Sequence, residues 1–208
     1  SFTMYLPKAF SHPEHATRLM QTYPFATLVS QGDDGWPMAT PLPLHWSKDG
    51  GEHGTLWGHV ALGNPHGALL RSRPQALAVF HGPHAYMSPS VYSDSERVPT
   101  WSYLMVQARV RAEMIDDSGA KDALLKRIIG DHEPAYANQW RGLSEAYANN
   151  MLKRITAFRL HIEQLDCGIK LNQHRPESHQ EMAAQLAGGG DHERALRDWM
   201  VELGMVKP

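Results

Sequence analysis

Phe25-Ala-Thr-Leu-Val-Ser-Gln-Gly-Asp-Asp-Gly-Trp-Pro-Met-Ala-Thr-Pro-Leu-Pro-Leu-His-Trp46 is the stretch from which the fold can be read. Phe25 to Ser30 has the β-branched and apolar content of a strand, Gln31 to Gly35 reads as a turn, and Met38 to Trp46 reads as the strand returning from it. In the returning strand Pro41 and Pro43 are two residues apart, so both lack an N–H on the same side, and that side is not laddered to a further strand. Two readings follow. One is a sheet edge protected against aggregation; the other is an opening in a barrel where a ligand lies against the backbone.

Downstream of this hairpin the strands continue. Thr55 to Ala61 reads as a strand running into Gly63-Asn-Pro-His66, where Asn64 suits an N-cap and Pro65 the first position of a helix through about Arg71. Such a helix start attracts anions, although every helix has one. Leu77 to His81, Ala85 to Ser88 after a turn at Gly82-Pro83, and a long segment from Trp101 to Met114 read as further strands. The polar, proline-bounded stretch Pro89 to Pro99 suits a lid or a mobile loop. Helices are expected at about 119–130 and 144–154, the second with Tyr147, Met151 and Ile155 spaced by four, before Ala157 to Leu165 closes the barrel.

Upstream, Ser11-His-Pro-Glu14 has capping-box spacing, and Ala16, Leu19, Met20 and Tyr23 place a helix over about 12–23. After Gly168 the chain turns polar and extended from Lys170 to Pro176. A helix over about 177–186 then meets Gly188-Gly-Gly190, and Asp191 caps another with the stripe Ala195, Leu196, Trp199, Met200 and Leu203. The expected fold is α+β, mainly β: a split β-barrel with flanking helices and a C-terminal helix pair. Residues 1–168 form the barrel with its inserted helices, and residues 169–208 form the extended segment and the helix pair packed on it.

The chain of 208 residues can bury roughly 70% of its unfolded surface. Its 20 Lys and Arg against 22 Asp and Glu leave a net charge of −2, without the basic stripe of a nucleic-acid binder. The most basic stretch, Lys121 to Arg159, reads as a solvated helix face or a contact for an anionic partner. From Lys170 to Pro208 five basic residues face six acidic ones, the wrong balance for a major-groove reader. No apolar run approaches the roughly 18 residues of a membrane span, and the single cysteine, Cys167, cannot form an internal bridge. These features point to a soluble protein of a reducing cytoplasm with no membrane contact.

Motifs for serine hydrolysis, P-loop chemistry and common zinc sites are missing. The pairs His12/His15 and His81/His84 straddle a helix start and a Gly-Pro turn, so no metal site is expected. His45, His59 and His66 read as packing histidines, and Cys167 as inert.

Met4-Tyr5-x-Pro7, Pro24-Phe-Ala-Thr-Leu-Val-Ser30, Pro41-Leu-Pro-Leu44, Gly58-His-Val-Ala61 with Asn64-Pro65, Gly82-Pro-His-Ala-Tyr86 with Ser88-Pro89, Pro99-Thr-Trp101 and Lys170-Leu-Asn-Gln173 with Arg175-Pro176 occur in order. Together they resemble the PaiB-type family of FMN-binding split barrels, often labelled negative transcriptional regulators and related to pyridoxamine-phosphate oxidases, flavin reductases and a haem-degrading branch. The resemblance implies an FMN cofactor at a homodimer interface. It would lie on the strand of Thr40, Pro41 and Leu42, against Gly58, His59, Val60 and Asn64, closed by Trp101, Ser102, Lys170, Gln173 and Arg175, some from the second subunit. Leu62 departs from the pattern, since related sequences often carry an arginine there that could pair with phosphate; Ser102, Asn172 and His174 depart too. The expected function is that of an FMN-binding, PaiB-like protein with a flavin-dependent redox role, with no residue nameable as catalyst. Regulation through DNA or protein contacts, and haem binding, stand as alternatives from other classes.

Overall fold

The computed structural model describes residues 3–208. In chain order the elements are α1 (Ala16–Thr22), β1 (Phe25–Gln31), β2 (Pro37–Pro43), β3 (His45–Ser47), β4 (Thr55–Ala61), α2 (His66–Ser72), β5 (Gln75–Met87), β6 (Thr100–Ile115), α3 (Ser118–His132), α4 (Tyr136–Gly142), α5 (Glu145–Leu152), β7 (Ile155–Lys170), α6 (His179–Ala187) and α7 (Asp191–Glu202). All seven strands lie in one antiparallel sheet of order β2-β1-β5-β6-β7-β4-β3. The fold is a split barrel of mixed α and β structure.

The expected closure at the last strand does not occur, because β2 and β3 are the two free edges and are not paired with each other. The returning strand from Met38 to Trp46 is accordingly two strands, broken at Leu44, whose N–H bonds Pro24 O at 3.0 Å. That bond faces β1, so the odd positions 37, 39, 41 and 43 face the open edge. Three of those four are proline, and only Ala39 can donate. A ladder to β3 lacks donors, and the barrel stays split.

The expected turn at Gly82-Pro83 is instead a bulge inside the continuous strand β5, where the register to β6 shifts between His81 and His84. A Cβ at Gly82 would stand 2.8 Å from Leu104 Cβ, so glycine lets the two strands stay close through the irregularity. The last strand continues past Leu165 to Lys170. At the N-terminus Ser11 makes no cap but bridges Gly168, and a 3-10 turn, Pro13–His15, precedes α1. Asp191 is the first residue of α7, whose N-cap is Gly190, and its carboxylate holds Arg194. Ser144 does cap α5, accepting from Tyr147 N.

Inward residues of both ends of the sheet, among them Leu28, Phe80, Leu104, Phe158 and Leu160, form the main core. Met182 and Leu186 of α6 and Leu196, Trp199 and Met200 of α7 belong to the same core, so the C-terminal helices are packed on the barrel. The outer face of β4 and β7 is covered by α3, where Leu124 meets Trp57, Ile115 and Ala157 in a second cluster. Trp57 is flanked by the guanidinium groups of Arg127 and Arg159 at 4.5 and 4.0 Å from its ring.

Candidate functional site

The residues singled out in the sequence fall into two groups. The first lies where β2 and β4 run toward α2. His66, fully buried, presents one ring nitrogen to Thr40 Oγ1 at 2.8 Å and the other to Ser30 Oγ at 2.9 Å. Asn64 Nδ2 reaches Thr40 Oγ1 at 3.4 Å, and Asn64 Oδ1 accepts from His66 N at 2.9 Å. The network clamps β1, β2 and the start of α2 together. Burial holds the His66 imidazole below its ordinary pKa, so both nitrogens serve as neutral hydrogen-bonding partners.

Leu42 and Val60 are core side chains, and a Cβ on Gly58 would stand 2.7 Å from Leu44 Cδ2, so these positions pack the interior. His59, on the opposite face of β4, is half-buried, and burial lowers its pKa. Pro41 is exposed, and the carbonyls of the odd β2 residues face outward with the Ala39 N–H. Beside the start of β2 a cavity of about 710 Å³ is walled by Trp36, Met38, Pro65 and Leu69, with Asp33 and Asp34 at its rim.

The helix start at α2, which could attract an anion, has its first N–H groups used internally. The helix has seven residues, His66 N bonds the Asn64 side chain and Gly67 N bonds Asn64 O at 3.2 Å.

The second group lies at the far end of β6 and β7. Lys170 Nζ donates to Thr100 Oγ1 at 2.8 Å, and Trp101 and Tyr86, paired across β5 and β6, form an exposed edge-to-face couple at 6.2 Å. Ser102 is buried on the other face of the strand. A cavity of about 650 Å³ opens here between Phe10, Tyr92, Val98 and the basic side chains Arg97, Lys170 and Arg175. The stretch from Pro89 to Pro99, read as a lid or mobile loop, is tied to the C-terminal segment: Asn172 Nδ2 donates to Tyr92 Oη at 2.7 Å and Gln185 Nε2 to Ser90 Oγ at 3.1 Å. Asn172 holds the left-handed turn, φ 63°, that brings its side chain to Tyr92 and Ser178.

Gln173 is occupied in holding this turn. Its Oε1 accepts from Leu171 N at 2.8 Å, its Nε2 donates to Ile169 O and approaches His12 Nε2 at 3.3 Å. His12, Glu14 and His15 bring potential ligand atoms within 4.8 Å of one another. The Gln173 donor makes His12 Nε2 an acceptor, however, leaving the proton on Nδ1 to be donated to Glu14 at 3.0 Å. His12 and Glu14 are thereby joined in a hydrogen-bond chain with Gln173, and His15 Nε2 stands 3.7 Å from the same carboxylate. Cys167 is buried and its thiol is pushed up to about 12.

The two groups lie toward different ends of β7: Gly58 sits opposite Phe158 near its start, and Lys170 closes the same strand. The sequence read His66 as a packing histidine, as the structure shows it, but not as the centre of the first group. Its signal was two polar residues, Ser30 and Thr40, at inward positions of otherwise apolar strands.

Residues 4–164 match the family described as "Putative FMN-binding domain". The chain is 35% identical over 182 residues to the Protease synthase and sporulation protein PAI 2 of Bacillus subtilis (strain 168), covering 84% of each. The fold is similar to that of the flavocytochrome Anf3 from Azotobacter vinelandii, with a TM-score of 0.65 and 15% identity over 83% of this chain and 75% of that one. It is also similar to the FAD and heme binding protein from Mycobacterium smegmatis, with a TM-score of 0.54 and 22% identity over 76% and 70% of the two chains. No helix among the described residues is long and apolar enough to cross a membrane. An open seven-stranded barrel, a proline-edged strand beside a buried polar clamp, and a family match over most of its length place this chain in the PaiB-type family of FMN-binding split barrels.

Proposed function

We propose that the chain is a flavoprotein in which FMN, the cofactor of its family, lies between two copies of the chain. The observation that carries this is the division of the site: the open β2 edge with its clamp, and the cationic cavity with Trp101, stand at opposite ends of the strand that links them. In this reading a second copy brings its cationic cavity to the open β2 edge, and the flavin lies between them. The donor set fits a flavin. The edge of β2 offers one N–H among outward carbonyls for the pyrimidine rim, Trp101 and Tyr86 offer aromatic surface, and the cavity offers cationic groups.

Pro41 at the open β2 edge of one copy and Trp101, Lys170 and Arg175 of the other make up the proposed pocket, with Thr40 and Asn64 in the clamp behind the edge and Ser102 buried behind Trp101. FMN, when bound, supplies the redox step. The chain fixes its position, with the His66 clamp keeping β2 at its distance from α2 and the tied 89–99 segment limiting access of water. The test is the visible spectrum of the purified protein with its mass in solution. A dimer releasing FMN on denaturation is the expected result; a monomer indifferent to added FMN removes the proposal.

A further inference from the structure

Groups able to neutralise an anion are unevenly divided between the two halves of the site. Near β2 and α2, Arg71 forks onto Asp116 at 2.7 and 3.0 Å. Arg73 holds Asp33 at 3.0 Å. The cavity there is rimmed by Asp33 and Asp34, and the N–H groups opening α2 are spent on Asn64. Arg154 stands nearby, its carbonyl accepting from Leu62 N at 2.8 Å, but its side chain is exposed to water, where an ion pair is worth little.

The other cavity has the opposite character. Lys170 is half-buried there, its ammonium donates to a neutral hydroxyl, Thr100 Oγ1, and among the described residues no carboxylate lies within ion-pair distance of it. Arg175 has a carboxylate, Glu177, only at 3.9 Å, and Arg97 is paired with Asp94 and backed by the Tyr92 ring. Glu96 is the acid of the wall. An ammonium held in a walled cavity without a counter-charge is less screened than one in open water, and an anion entering it gains a charge-assisted hydrogen bond.

We propose that the phosphate of the flavin is received by Lys170, with Arg175 beside it, in the cavity at the end of β7, and not at the turn between β4 and α2. This rests on the flavin reading above. The phosphate end and the β2 edge would then belong to different copies of the chain, so each copy would hold one end of each flavin.

The experiment compares FMN with riboflavin, which lacks the phosphate, by quenching of flavin fluorescence with the full-length protein. The wild type is expected to bind FMN at least about tenfold more tightly, the range for one charge-assisted hydrogen bond being roughly ten- to a hundredfold. Lys170→Met is expected to bring the two affinities together without weakening riboflavin, Lys170→Arg to keep most of the preference, and Arg71→Met to keep all of it. Arg175→Met, at a partly exposed side chain, should narrow the preference by a smaller factor and serves if Lys170→Met does not fold. A wild type that binds both flavins equally, or a folded Lys170→Met protein that keeps the preference, overturns the assignment. In the latter case the cavity takes a separate small anion. A wild type that binds neither flavin brings down the flavin reading itself.

Discussion

The cavity beside α2 and the cavity at the end of β7 are similar in size but opposite in design. The first is walled by apolar residues and rimmed by aspartates, and the buried polar groups of the neighbouring β1, β2 and α2 are consumed by a clamp that holds the backbone. The second is basic, and its polar loop residues hold a surface segment in place while Lys170 keeps a donor without a charged partner. The contrast teaches that polar residues near a pocket divide into those that shape it and those left for a ligand, and that hydrogen-bond accounting separates the two.

The largest effect should come from the shaping side. His66→Leu leaves the hydroxyls of Ser30 and Thr40 without their buried partner and is expected to destabilise the fold by about 2–4 kcal/mol, measured by chemical denaturation. A loss under about 1 kcal/mol would mean that the clamp is not structural. The same histidine gives a pH signature. Its folded pKa is depressed, so its contribution is full above the unfolded value near 6.5 and is lost as pH falls through the lowered folded value. Stability should therefore decline as pH falls below about 6.5, and His66→Gln should flatten that decline, with His59→Gln doing so in part because burial lowers His59 too.

Gly58→Ala should cost about 1–3 kcal/mol through contact with Leu44 and Phe158, which a thermal melt will resolve. Leu62→Arg adds a cation at the first end. If the phosphate binds at Lys170, the preference for FMN over riboflavin stays within about twofold; a tenfold rise would place the phosphate beside α2 and erase the contrast. Smallest of all, Arg71→Ala removes an exposed pair with Asp116 and should change stability by under about 1 kcal/mol.

The sequence made the strands legible wherever alternation and turn residues agreed, as in β1 and its proline-edged partner. It was least informative where one residue serves two contexts. Gly82-Pro83 reads as a turn, but close packing against Leu104 makes it a bulge that the strand passes through. Leu44 reads as the middle of a strand, but it is the point where the chain crosses from one sheet edge to the other. The short helix α4 was missed because its anchor is tertiary: buried Trp140 donates to Asp122 of α3 at 2.6 Å. The family's strings name positions but not what their side chains hold. Nothing in the string around Asn64 says that its side chain is committed to His66 and Thr40, and Gln173 looks free until its three neighbours are known.

The break at Leu44 also sets the mechanics of the split. β2 and β3 are consecutive in the chain yet form the two margins of the sheet, joined by one leucine that is 1% exposed and hydrogen-bonded to Pro24. Widening the gap would pull that leucine out of the core. The split is therefore hinged on a residue anchored in the interior, which fixes how the two margins stand to each other at this end.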